Sequence, residues 1–213
     1  MNVFKRNKKY INLVEFLMLL LGVSLSTLFL GYVPSSIALG LFLLFSFRYW
    51  FLNKTKVKFN SALLLPILLF IVFALSFFWS VNQSLTIKGL ERTIMLALIP
   101  IAFFLIPKVS EKELKVTLNI FTISNFILGT LFFVVAIFNY IKTKSISVFT
   151  YHELVSIFNL HAVYVSLAFS ISLIYLMSYK VEMLKRYQNI LIVFFLLIIF
   201  LLASKTVIFV LLI

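Results

Sequence analysis

Apolar runs close to 20 residues long recur from Ile11 to the last residue of this chain, and they constrain its fold more than any other feature. A helix rises about 1.5 Å per residue, so about 20 apolar residues match a hydrocarbon layer ~30 Å thick. Within such a layer every backbone N–H and C=O needs a partner, and a helix supplies all of them from one segment. The chain is 63% hydrophobic, only 12% charged and has a mean hydropathy of +1.17. That exceeds what a soluble domain accommodates. The predicted fold class is all-α: a polytopic transmembrane helix bundle, with residues 1–213 forming a single domain.

In order, the runs predict about seven complete spans and the start of an eighth. The first covers Ile11 to Leu30 and is too long, with no small-residue cleavage site, to read as a signal peptide. A turn at Gly31 to Pro34 leads into Ser35 to Leu52, closed by Arg48, Tyr49 and Trp50 as interfacial anchors. The third runs from Ser61 to Trp79 with Pro66 inside it, and the fourth from Lys88 to Pro107 with Pro100 inside it. Ser110 and Glu113 have the spacing of a capping box that opens the fifth helix, whose span covers Val116 to Tyr140. Thr150 and Glu153 repeat that spacing. In the same connection Tyr151, Leu154, Val155 and Phe158 share one helical stripe, and His152, Ser156 and Asn159 share another. Residues 145–160 therefore predict an amphipathic helix lying in the membrane interface. His161 to Ser178 and the short Asn189 to Ala203 give spans six and seven. Ser204, Lys205 and Thr206 interrupt the pattern before an eighth run begins at Val207. That run breaks off at Ile213 without a flanking charge, so the chain is expected to be the N-terminal part of a longer protein.

The net charge of +13 alone would suit a nucleic-acid partner, but the basic residues sit in short clusters between apolar spans. No nucleic acid is expected. All but five of the 19 basic residues lie at the N-terminus or in the loops after spans two, four and six. The positive-inside rule places those segments, and the N-terminus, in the cytoplasm of a multi-pass inner-membrane protein. Lys88, Arg92, Lys142, Lys144 and Lys205 are left on the external side. Glu15, near the start of span one, is expected to snorkel or to pair with the basic N-terminus. Asn119 and Asn125 are expected to hydrogen-bond between helices.

Chemistry has few carriers here. Cysteine and aspartate are absent, which leaves six glutamates and two histidines as bases or carboxylate ligands. Neither a metal site nor a cofactor is expected. His152 and His161, nine apart, lack the i, i+4 spacing of helical metal ligands. His161 is read either as an interfacial hydrogen-bonding residue or as an acid–base catalyst. Lys88 and Arg92, four apart, project from one helix face. Two cations aimed at one place suit a phosphate-bearing anion; alternatively, Lys88 snorkels and pairs with Glu91. Lys205 sits between two apolar runs, and its charge must reach water or an anion. Charged groups at the mouths of spans are functional candidates, and a lipid-linked pyrophosphate presents its head group at that depth. Lys88, Arg92 and Lys205 are thus the candidate pyrophosphate-binding residues.

Three passages resemble the O-antigen ligase and polymerase family of bacterial envelope enzymes. WSVNQSLTIKGLERTIMLALIPIAFF is similar to the family's tryptophan–serine turn, followed by a helix with an arginine and a later proline. YHELVSIFNLHAVYVSLAFSISL resembles a segment in which a histidine and a tyrosine open the next span. LLIIFLLASKTVIFVLL resembles a short span ending in Ser-Arg, with Lys205 at the arginine's place. Lysine keeps the charge there but loses the bidentate fork. The resemblance implies an inverting, metal-independent glycosyltransferase whose donor is a polysaccharide on undecaprenyl pyrophosphate at the periplasmic face. A ligase transfers that glycan to a lipid A–core acceptor, whereas a polymerase extends the glycan itself. The family's large periplasmic loop, with a further arginine and histidine, would lie beyond Ile213. By the same resemblance Lys88, Arg92 and Lys205 hold the pyrophosphate and steady the leaving group, and the Thr150 to Leu160 helix receives the acceptor. Two other classes remain open. A lipid-linked glycan transporter or flippase would show internal repeats and charges at mid-membrane, neither of which the sequence displays. A non-catalytic scaffold would tolerate substitution of every external charge.

Overall fold

The computed structural model describes residues 8–53, 60–158, 160–179 and 186–202, and every regular element among them is helical. The α-helices are α1 (Lys8–Ser26), α2 (Tyr32–Asn53), α3 (Ser61–Leu75), α4 (Gln83–Thr93), α5 (Met95–Leu105), α6 (Glu111–Thr143), α7 (Tyr151–Leu154), α8 (Ala162–Ser178) and α9 (Gln188–Leu201). Short 3-10 turns extend α1 through Thr27–Leu30 and α3 through Ser76–Trp79. Four stretches of the described residues are long and apolar enough to cross a membrane: Leu13–Leu30, Val33–Asn53, Ser61–Trp79 and Glu111–Thr143. Helices α8 and α9 are apolar but shorter.

Several boundaries differ from expectation for local reasons. The turn expected at Gly31 to Pro34 contracts to Gly31, whose φ of 109° lies where a side chain is disfavoured. Pro34 falls in the first turn of α2, where its missing N–H has no intrahelical carbonyl to serve. The stretch expected as one span from Lys88 starts at Gln83 and is divided at Ile94. Pro100 offers no N–H to the Leu96 carbonyl, which loosens the preceding turn. Ile94 keeps helical angles, φ −54° and ψ −27°, and its carbonyl accepts from both Ala97 and Leu98 at 3.0 and 3.1 Å. The 11 residues of α5 extend only about 16 Å, half the thickness of a hydrocarbon layer.

Helix α6 opens with the expected capping box. The Glu113 carboxylate accepts from the Ser110 N–H and hydroxyl, each at 2.7 Å, and the Ser110 Oγ accepts from the Glu113 N–H at 3.3 Å. So capped, α6 runs for 33 residues, about 50 Å, and the span expected from Val116 to Tyr140 lies wholly inside it. The second box does not form. Thr150 donates its hydroxyl to the Ser147 carbonyl at 2.9 Å and caps nothing. Lys144 and Tyr151 take positive φ values of 56° and 49°, which a right-handed helix cannot continue through. The amphipathic helix expected over residues 145–160 is therefore three short pieces, at Ile146–Phe149, Tyr151–Leu154 and Ser156–Phe158. Its apolar stripe survives in part: Leu154 and Val155 are buried in the core cluster against which Phe158 also packs.

The chain forms two compact units, residues 1–20 with 37–114 and residues 21–36 with 115–213. In the first, Ala38, Phe42, Ser46 and Tyr49 make one buried stripe of α2, and Ala102, Phe104 and Leu105 of α5 are buried as well. Glu15 of α1 reaches Lys112 of α6 at 3.5 Å; the N-terminal residues 1–7, its expected partners, lie outside the described residues. Helix α3 packs along α5 and α4 yet buries no residue of its own.

The second unit has a continuous core. Phe121, Leu128 and Phe132 of α6 meet Phe169 and Leu173 of α8 and Phe195 and Ile198 of α9. Gly129 permits the close approach, since a Cβ there would stand 2.5 Å from the Ile198 Cδ1. Asn119 and Asn125 bond between helices as expected. Asn119 accepts from the Tyr175 hydroxyl at 2.7 Å; Asn125 donates to the Ser172 hydroxyl at 2.8 Å and the Ala168 carbonyl at 3.2 Å. The Lys115 ammonium lies 4.8 Å from the Tyr179 ring centre. Positions rise along α6 as they fall along α8, so this polar seam fixes an antiparallel register. Gln188 closes the end of α8, donating to the carbonyls of Leu176 and Tyr179.

Candidate functional site

The polar turn after Trp79 builds the start of α4. The Asn82 side chain caps the helix by accepting from the Leu85 N–H at 3.1 Å, and the Ser80 and Thr86 hydroxyls bond to each other at 2.5 Å. Sequence reasoning took this stretch as a turn and missed the cap. The signal was present: Asn is among the strongest N-cap residues, and here it precedes a run free of Gly and Pro until Gly89. The earlier start matters, because it places Lys88 in the middle and Arg92 in the last turn of one formed helix.

The two faces of α4 differ. Thr86, Gly89, Leu90 and Thr93, at i, i+3, i+4 and i+7, line a 290 Å³ cavity with Phe73 and Ser76. The polar threonines are satisfied locally, Thr93 donating to the Gly89 carbonyl at 3.0 Å. The opposite face carries Ser84, Lys88, Glu91 and Arg92, all exposed. Lys88 and Arg92 are neighbours on that face, with about 5–6 Å between Cβ atoms. Among the described residues Lys88 forms no ion pair with Glu91, although i+3 spacing permits one. Arg92 stands in the last turn, where the helix dipole favours a cation. The result is a small cationic face whose back lies against α3: a guanidinium for bidentate contact beside a point-charge ammonium. Such a pair accommodates a phosphate or pyrophosphate group.

Lys205 lies outside the described residues. His161 belongs to the second unit and caps α8, its Nδ1 accepting from the Val163 N–H at 3.4 Å. That bond leaves Nε2 as the nitrogen not used in the cap. The ring lies at the edge of a 390 Å³ cleft whose other lining is apolar except for Tyr164, including Leu25, Phe29, Phe121 and Ile171. No group of three or more potential metal ligands occurs among the described residues. Against protein-family models, curated proteins and solved structures, the chain matches none.

Proposed function

We propose that this chain is part of an inner-membrane enzyme of the O-antigen ligase type, moving a glycan from undecaprenyl pyrophosphate to a lipid A–core acceptor at the periplasmic face. In this reading the helices make seven spans and begin an eighth, with the N-terminus cytoplasmic. The α4–α5 pair together serves as the fourth span, and α4 meets the external boundary. Lys88 and Arg92 hold the donor's pyrophosphate there, joined by Lys205, and stabilise the charge that develops as the sugar leaves. His161 is the candidate acid–base group. The observation that carries the reading is the outward cationic face of α4, whose two cations share one side of a capped helix without an ion pair to Glu91.

Replacing Arg92 with Ala in the full-length protein, in a host whose own copy is deleted, should abolish glycan transfer while membrane expression persists. Accumulated polymer on the lipid carrier with unmodified core would mark a ligase, and core bearing a single repeat would mark a polymerase. Normal surface glycan in both the Arg92→Ala and Lys205→Ala variants would overturn the assignment and favour a non-catalytic scaffold.

A further inference from the structure

The chain contains two histidines, and the fold brings them together. His152 lies on the one-turn helix α7 and His161 caps α8, yet their ring centres stand 4.9 Å apart with planes at 85°. We propose that this pair is a site for one divalent transition-metal ion, which clips the connection between α6 and α8 to the head of α8.

The spacing of the rings allows it. Bonds of about 2.0–2.1 Å from one nitrogen of each ring to a single ion place the ring centres about 5 Å apart. The Nδ1 of His161 is engaged by the Val163 N–H, so its Nε2 is the nitrogen left to bind. The backbone presents His152 at some cost. Tyr151, immediately before it, holds a φ of 49°, an outlier for a bulky side chain, and its ring sits 4.0 Å from the His152 ring. Strain of this kind persists where the surroundings over-determine it, commonly at ligand sites. Both imidazoles are exposed, so water completes the coordination sphere. Imidazole favours copper, nickel and zinc over magnesium or calcium, and Cu²⁺ heads the order of affinity. The nine-residue separation hid the pair, because helical spacing is the rule for ligands on one helix and these stand on two elements.

The proposal is independent of the pyrophosphate face on α4 and brings no metal into glycan transfer; it assigns His161 a metal-ligand role as the alternative to the acid–base role above, since an imidazole nitrogen bound to a metal cannot also carry a proton. The purified chain should bind one Cu²⁺, with a paramagnetic resonance spectrum showing coupling to two nitrogens. His152→Gln and His161→Asn should each weaken binding at least tenfold. Asparagine keeps a capping acceptor for α8, and unchanged helical circular dichroism separates ligand loss from unfolding. Absence of Cu²⁺ binding, or binding that either variant retains at full strength, would overturn the proposal.

Discussion

Helices α3 and α9 are both strings of Leu, Ile, Phe and Val, yet they dispose of those side chains in opposite ways. Helix α9 buries Leu191, Phe195, Ile198 and Ile199, while α3 buries none. The difference lies in their neighbours. Helix α9 faces Gly129 of α6, where the absent side chain lets its Phe194 and Ile198 come close, and it packs along α8, whose buried residues include the small Ser166, Ala168, Ser170 and Ser172. Small residues let helix backbones approach, and in lipid that packing replaces the hydrophobic drive that water would supply. Helix α3 is instead apolar on every side, as a helix surrounded by hydrocarbon is. What leans on it is the uncharged face of α4, and this leaves Lys88 and Arg92 directed away. One region of the chain is built for packing; the other holds a charged face outward.

This contrast predicts unequal responses to the same substitution. Phe195→Ala should destabilise the protein by about 3 kcal/mol through lost packing, whereas Phe73→Ala on α3, 40% exposed, should cost less than about 1 kcal/mol. Reversible unfolding in mixed micelles measures both, and equal costs would remove the distinction. The polar seam makes a finer test. A double-mutant cycle on Asn125→Ala and Ser172→Ala should give a coupling of about 0.6 kcal/mol, the usual scale for hydrogen bonds between membrane helices. Zero coupling would mean that the seam does not set the register of α6 on α8.

The sequence made some of this readable and concealed the rest. The Ser110–Glu113 box was legible because a capping box is local chemistry at fixed spacing, and its prediction of a helix start is met. The Thr150–Glu153 pair has the same spacing and fails, because hydrogen bonding of Thr150 to Ser147 and the left-handed backbone at Tyr151 take its place. Periodicity cannot register a left-handed residue. Asn119 and Asn125 were legible as helix-to-helix groups because amides inside an apolar run need partners, but their partners, Tyr175 and Ser172, required the fold. That Lys88 and Arg92 share one helix face was legible by spacing; that the other side of α4 would lie against α3 was not. The meeting of His152 with His161 could not be read from a rule written for a single helix.

Binding of a pyrophosphate head group is the role proposed for the exposed face of α4. It is tested most directly by measuring the affinity of a polyprenyl pyrophosphate for the purified protein in nanodiscs of uncharged lipid, before and after Lys88→Ala with Arg92→Ala. The double variant should lose at least about tenfold in affinity, since charge-assisted contacts from both side chains are removed. Retained affinity in a variant that is folded and monodisperse would contradict the assignment of this face.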